Sequence, residues 1–192
     1  MLLMTELRPG TSPPPVRTPI RRRATAAMVA IGHRGGERPN RGGYHRPVNY
    51  ELYMGEALEE ARAAIARGER PHAAVAVLDE AMVARGHDRV LETDDPTAHA
   101  VVVALREAAR RVGSERLRDV TIFSTIEPCP MCVGALLASD VDELVYAMPN
   151  RLEGAAGTCL QLADHPSLGR RLKVVSGIRR DEVEELYAAA LA

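Results

Sequence analysis

Two cysteines separated by two residues, Cys129 and Cys132, most strongly constrain how this chain can fold. They follow Glu127-Pro128, a pattern typical of the start of a helix, and the first turn of that helix would direct both thiols toward one point. The free N–H groups and the positive dipole end of the turn stabilise thiolates. The pair alone is compatible with a metal site, a redox pair or two small buried side chains.

A histidine earlier in the chain favours the metal site. His99 follows the turn-forming Asp95-Pro96-Thr97, in which Thr97 is the predicted N-cap, and it precedes an apolar-periodic helix. One neutral imidazole and two thiolates suit tetrahedral zinc, and three protein ligands leave a fourth position for water. We therefore predict that His99, Cys129 and Cys132 bind zinc at a catalytic site. A closed structural zinc site is the alternative, but no fourth ligand is evident in the sequence.

Longer runs of characteristic residues surround these ligands. They are Asp95-Pro-Thr-Ala-His-Ala100, Ala104-Leu-Arg-Glu-Ala-Ala109, Thr125-Ile-Glu-Pro-Cys-Pro-Met-Cys-Val-Gly-Ala135 and Gly154-Ala-Ala-Gly157. From about Tyr50 to the C-terminus the chain resembles the cytidine/deoxycytidylate deaminase superfamily, and within it the bacterial tRNA adenosine deaminases and related nucleoside and guanine deaminases. The resemblance implies a three-layer α/β/α sandwich with a five-stranded mixed sheet, a zinc cofactor and a homodimer.

One residue departs from the superfamily pattern. Two residues after the histidine ligand, the resembling enzymes carry a glutamate that moves protons from water to the ring nitrogen and the departing ammonia. This chain has Val101 there. No acidic residue has an equivalent sequence position, and Glu127 aligns with a structural residue. We expect a deaminase that is inactive or strongly impaired; the alternative is a non-catalytic subunit, similar to that of the eukaryotic two-chain tRNA deaminase.

The resemblance also implies a substrate site formed by Asp88, Ala100 and Pro128. Asp88 aligns with an asparagine that hydrogen-bonds the base in the tRNA deaminases. An ionised carboxylate only accepts hydrogen bonds, so Asp88 would favour an amino-bearing edge of the substrate over a carbonyl. The alternative for Asp88 is an aspartate in a surface turn. We expect His72 to be solvated and Cys159 to be a small buried residue.

Charge divides the chain near Tyr50. Residues 1–49 are rich in Pro, Gly and Arg, with nine arginines and two acidic residues, and are predicted to form a disordered basic leader. Such an arm could add affinity for phosphates, although a solvated leader, or a translation start at Met28 or Met54, is favoured. Residues 50–192 form the predicted deaminase-like domain.

That domain has 24 acidic and 16 basic residues. Because its negative charge repels a polyanion at long range, we predict a free nucleobase, nucleoside or other small amine as substrate and disfavour transfer RNA. The three cysteines are explained without disulfides, which favours a reducing cytosol, and no stretch approaches the roughly eighteen apolar residues of a membrane span. We predict a cytoplasmic protein.

Hydrophobic periodicity predicts strands that alternate with helices. The predicted strands are 73–78, 81–85, 119–125, 143–147 and 173–175. The predicted helices are 50–66, the segment after His99, 129–138, a short helix near 159–163, and the segment from Asp181. This order indicates one sheet covered on both faces, with ligands bound where strands lead into helices.

Overall fold

The computed structural model describes residues 48–190, so the basic leader predicted at residues 1–49 lies almost wholly outside the described residues. Asn49 is described, and its side chain accepts a hydrogen bond from the N–H of Leu52 as the N-cap of the first helix. The elements are α1 (Tyr50–Ile65), β1 (Ala73–Leu78), β2 (Ala81–His87), α2 (Val90–Thr93), α3 (Ala100–Val112), β3 (Val120–Ile126), α4 (Pro130–Ala138), β4 (Glu143–Met148), a 3₁₀ turn (Pro166–Leu168), β5 (Lys173–Ser176) and α5 (Arg180–Ala190).

The strands form one five-stranded mixed sheet in the order β2-β1-β3-β4-β5, as predicted. Strand β1 is antiparallel to both β2 and β3, whereas β3, β4 and β5 are parallel. Strands β1, β3 and β4 are buried along nearly their whole length, which explains why they appear in the sequence as continuous apolar runs rather than as alternating patterns.

Helices cover both faces of the sheet, which confirms the α/β/α sandwich. On one face α1 and α5 enclose a core that contains Met54, Phe123 and Val183. On the other face α3 and α4 enclose a second core, in which Leu105 and Leu136 pack with apolar side chains of the sheet. Aromatic residues are few, so alanine and branched aliphatic side chains fill most of both cores. No helix within residues 48–190 is long and apolar enough to cross a membrane.

The predicted short helix at 159–163 is wrong. The N–H groups of Cys159 and Leu160 both donate to the carbonyl of Gly154, and that of Leu162 donates to Ala155, so the segment is bound to the preceding loop instead of forming a helical ladder. Strand β2 also continues to His87, past its predicted end, and helix α2 was not predicted.

The sheet topology brings several element ends to one edge. Strand β3 leads through Glu127-Pro128 into α4, so the first turn of α4 lies at the carboxyl end of β3. Because β1 is antiparallel to β3, with Ala74 opposite Ser124, the residues just before β1 lie at this same edge. The end of β2 is there too, since His87 pairs with Ala73.

Candidate metal centre

The three predicted zinc ligands come together at this edge of the sheet. Nδ1 of His99 lies 3.5 Å from Sγ of Cys129 and 3.7 Å from Sγ of Cys132. Tetrahedral zinc, with bonds of about 2.0–2.1 Å to nitrogen and about 2.3 Å to sulfur, requires ligand atoms about 3.6–3.8 Å apart. The donor atoms are therefore already spaced to hold the ion. In the described part of the chain, this cluster contains no fourth histidine, cysteine or carboxylate ligand.

Two of the ligands occupy helix N-cap positions. His99 precedes α3 and Cys129 precedes α4, both with extended backbone, and neither side chain makes a capping hydrogen bond. Their side chains are thus free to bind a metal. The prediction that Thr97 is the N-cap of α3 is wrong, because its hydroxyl and its N–H both bind the carboxylate of Asp95 within the preceding turn.

The two thiols of the cluster have opposite pKa shifts. A hydrogen bond from the Cys132 thiol, together with the nearby His99, lowers the pKa of Cys129 to about 5. The same hydrogen bond to Cys129 and burial raise the pKa of Cys132. The pair therefore loses one proton more readily than a free thiol and retains the second. A divalent cation stabilises both thiolates, so this donor set gains from binding a metal in place of the proton.

A cavity opens onto the three donor atoms, and Val101 forms part of its wall. Val101 lies in the first turn of α3 and is only 3% exposed. The predicted substrate residues Asp88, Ala100 and Pro128 line the cavity as well. The remaining lining residues are His72, Ser124, Ile126, Glu127, Asn150 and Glu153. The wall next to the metal site is thus apolar at the position where the resembling enzymes carry their glutamate.

Asp88 is engaged within the protein. Its Oδ1 atom accepts a hydrogen bond of 2.8 Å from the N–H of Ala100, and the residue is 1% exposed. Its Oδ2 atom lies 3.1 Å from Nδ1 of His72 but off the axis of the ring N–H, and it has no other partner in the described residues. The alternative of a surface turn is therefore wrong for Asp88, whereas its role in substrate binding stays a prediction.

His72 is not the solvated side chain that we predicted from the sequence. Its ring stacks on the ring of Tyr187, with centroids 5.7 Å apart and an interplanar angle of 17°, and its side chain is 19% exposed. The residue immediately precedes β1, and the antiparallel pairing of β1 with β3 carries it to the metal edge. Neither the spacing nor the composition near His72 signals this placement.

Glu127 holds the loop that closes one side of the cavity. The residue is fully buried; its Oε1 accepts hydrogen bonds from the N–H groups of Ala156 and Thr158, and its Oε2 accepts one from Asn150. Gly154 is packed so closely that an added Cβ would lie 2.4 Å from Oε2 of Glu127. These bonds agree with the structural role expected for Glu127, because both of its carboxylate oxygens bind backbone N–H groups of the loop.

The same loop carries two residues that sequence reasoning misplaced or overlooked. Cys159, predicted to be buried, is exposed and lies outside the metal cluster. Glu153 is exposed and lines the cavity; its charge also raises the pKa of Cys132, after the larger effects of Cys129, burial and Asp88. The Asn150 side chain accepts the N–H of Glu153, which fixes the backbone of that residue at the cavity rim.

Comparisons with known proteins agree with this geometry. Residues 47–148 match the family model for the cytidine and deoxycytidylate deaminase zinc-binding region, and all three donor residues lie within the match. A tRNA-specific adenosine deaminase from Bacillus subtilis is 36% identical over 140 residues, which are 72% of this chain and 86% of that protein. Another relative is much longer, and the chain spans only 9% of it.

Solved structures of related folds include one from a study of A-to-I editing by tRNA:A34 deaminases at the wobble position. Its TM-score is 0.68 at 35% identity, and the similarity covers 70% of this chain and 98% of that one. A guanine deaminase from Nitrosomonas europaea has a TM-score of 0.62 at 26% identity, over 73% of this chain and 83% of that one. Both structures therefore share the fold of this chain, and the family match includes its three donor residues.

Proposed function

Because the chain belongs to the cytidine and deoxycytidylate deaminase family, we propose that it is a zinc-dependent hydrolytic deaminase whose turnover is strongly reduced by Val101. One observation carries this proposal: Val101 lines the same cavity as His99, Cys129 and Cys132. The site therefore has the donors for the metal but an apolar side chain where a proton-transfer group belongs. The reaction is hydrolysis of an amino group on a nucleobase or nucleoside ring.

The residues of the site have separate tasks in this reaction. His99, Cys129 and Cys132 hold zinc, which when bound supplies the Lewis acidity that lowers the pKa of water for attack on the ring carbon. Pro128 and Ala100 line the cavity and would shield the bound substrate from bulk water. The isopropyl group of Val101 can neither accept nor donate a proton, and loss of one general acid–base group typically costs about 10²–10⁴-fold in rate.

Two substrate classes are supported to different degrees. The acidic charge of residues 50–192 favours a small nucleobase or nucleoside, because it weakens attraction to a polyanion. The guanine deaminase among the similar structures acts on a free base, as its name states. The alternative substrate is an adenosine of transfer RNA, on the strength of the tRNA-specific relatives. We therefore propose a small nucleobase or nucleoside as the substrate and keep adenosine of transfer RNA as the alternative.

The proposal extends to assembly and location. We propose a homodimer, as the resemblance to the family implies, and a cytoplasmic location, because the three cysteines are explained without disulfides. The competing interpretation is a non-catalytic subunit that keeps zinc for structural reasons and acts through a partner chain. The residues around position 101 favour the deaminase, because the family runs on both sides of Val101 are intact in this chain.

A substrate panel tests the proposed function. Ammonia release is measured for the zinc-loaded protein and for Val101→Glu with cytosine, adenine and guanine, their nucleosides, and unmodified transfer RNA. Turnover of a base or nucleoside by Val101→Glu, above that of zinc-free protein, supports the proposal. Activity on transfer RNA alone identifies the alternative substrate. Absence of ammonia from every substrate with both proteins favours the non-catalytic subunit.

A further inference from the structure

His72 and Asp88 form a pair at the wall of the metal cavity. Nδ1 of His72 lies 3.1 Å from Oδ2 of Asp88, and both residues line the cavity together with the zinc donors and Val101. They come from different segments, since His72 precedes β1 and Asp88 follows β2. The pair of strands that joins the two segments is held in register up to Ala73 and His87. The position of His72 relative to Asp88 is thus fixed by the sheet.

The environment of Asp88 decides which ring nitrogen of His72 carries a proton. Oδ2 of Asp88 is buried, and no hydrogen bond to it is formed within the described residues. A buried carboxylate oxygen without a donor is costly, and the Nδ1 atom of His72 is within hydrogen-bonding distance. The two atoms form no hydrogen bond in the present ring orientation, and a reorientation of the imidazole would align Nδ1–H with Oδ2. Asp88 therefore selects the form of His72 in which Nδ1 is protonated.

The remaining nitrogen of His72 is left without a protein partner. Nε2 makes no hydrogen bond with any residue in the range 48–190, and it is not among the fully buried unpartnered atoms there. The ring of Tyr187 stacks on one face of the imidazole, with an interplanar angle of 17°. An imidazole whose Nδ1–H is held by a carboxylate presents a basic lone pair on Nε2, the arrangement that serves as a general base in many hydrolases.

We propose that His72, oriented by Asp88, is the general acid–base residue that supports the residual deamination of this chain in place of the missing glutamate. Nε2 accepts a proton from the attacking water as the C–O bond forms at the ring carbon. The resulting imidazolium returns that proton to the amino nitrogen as the C–N bond breaks, so ammonia leaves and His72 is again neutral. Water is the co-reactant, and no redox step is involved. The inference rests on the proposed function.

Two features of the cavity separate His72 from the other titratable groups. Both carboxylate oxygens of Glu127 accept hydrogen bonds from backbone N–H groups. Glu153 is exposed on the loop and makes no side-chain hydrogen bond or ion pair within the described residues, so nothing holds its carboxylate in one orientation. A proton-transfer group must be held within reach of the reacting atoms, and His72 is the titratable side chain of this wall that has one nitrogen free and the other 3.1 Å from the carboxylate of Asp88.

The rate of ammonia release by variants of His72 tests the proposal. Asn at position 72 keeps a donor near the place of Nδ1 and removes Nε2, so His72→Asn retains the contact with Asp88. We expect His72→Asn to bind zinc and unfold like the parent protein but to lose about tenfold or more of the residual ammonia release. In the Val101→Glu background the same substitution should change the rate by less than about threefold, because the glutamate supplies the proton transfer. His165→Gln, in an exposed turn, is the matched control and should leave both rates unchanged.

The tautomer of His72 gives a readout that does not depend on turnover. Long-range ¹H–¹⁵N correlation spectra of zinc-loaded protein, with the His72 signals identified by their loss in His72→Asn, should show a proton on Nδ1. A neutral ring protonated on Nε2 would overturn the proposal. So would unchanged turnover of His72→Asn, a comparable loss from Glu153→Gln alone, or turnover of the parent no higher than that of zinc-free protein. If Val101→Glu is active in that last case, the proposed function stands and only the role of His72 fails.

Discussion

The carboxylate of Asp88 caps helix α3 through a 2.8 Å hydrogen bond to the N–H of Ala100. Helix N-termini need such acceptors because their first N–H groups have no partner in the helix. The capping residue usually belongs to the helix itself, but here the N-cap position is taken by His99, whose side chain faces the sulfur donors. The fold therefore separates two tasks: a remote carboxylate caps the helix and the local side chain is left for zinc.

We predict that Asp88→Ala destabilises the protein by about 1–3 kcal/mol, because it leaves a buried N–H without its charged acceptor. Equilibrium urea unfolding at pH 7, with zinc loading held equal, measures the change. Asp164→Ala is the control, since this exposed aspartate should matter by less than about 0.5 kcal/mol. Equal unfolding free energies for the two variants would show that the cap contributes nothing.

Zinc content is the second prediction. Protein purified without added metal should contain close to one zinc per chain, and Cys132→Ala should lose most of it, because the variant leaves only two protein ligands. Cys159→Ala provides a matched cysteine control, since Cys159 is exposed and lies outside the cluster. Elemental analysis that finds the same zinc content in Cys132→Ala and Cys159→Ala would refute the ligand set.

The third prediction concerns the pH dependence of stability at Glu143. This residue accepts hydrogen bonds from Tyr50 at 2.7 Å and Thr121 at 3.2 Å, and its carboxylate lies 2.6 Å from Nζ of Lys173. Burial acts to raise the pKa of Glu143, but the bonds from Lys173, Tyr50 and Thr121 outweigh it, so the pKa lies below its ordinary value of 4.5. The carboxylate thus stabilises the fold fully above that ordinary value and ceases to do so as the pH falls through the lower folded-state pKa.

Glu143→Gln should therefore lower the unfolding free energy by about 1–2 kcal/mol at pH 7 and by progressively less below about pH 4.5. Urea unfolding across this pH range gives the difference between the two proteins. Glu115→Gln, whose side chain is 87% exposed, controls for the loss of one negative charge. A difference that stays constant down to pH 3 would contradict the depressed pKa.

The zinc ligands could be found from the sequence because the signal is local. A cysteine pair marks the start of one helix, and a histidine marks the start of another. Because strands and helices alternate, the starts of these helices lie at a common edge of the sheet, which brings the sulfur and nitrogen ligand atoms together. The sheet and both helical layers follow from the same periodicity. Even so, the sequence suggested the wrong cap for α3, because the true acceptor, Asp88, is twelve residues away from Ala100.

The rest of the site depends on long-range pairing that periodicity does not report. His72 reaches the cavity only because β1 runs antiparallel to β3, and no local pattern specifies that direction. The segment after β4 was misassigned for a related reason. Its backbone N–H groups bind Glu127 and the carbonyls of Gly154 and Ala155, so contacts with the loop and with a buried carboxylate replace the helix that local propensity favours there.

Replacement of Val101 tests the central claim most directly. Initial rates of ammonia release are compared for the parent protein, Val101→Glu and Val101→Gln at equal zinc content, with the best substrate of the panel. Glutamine has nearly the size of glutamate but cannot carry the proton, so it separates chemistry from the filling of space. We predict that Val101→Glu is faster than the parent by about 10²–10⁴-fold and that Val101→Gln is not. A parent protein as fast as Val101→Glu would contradict the account.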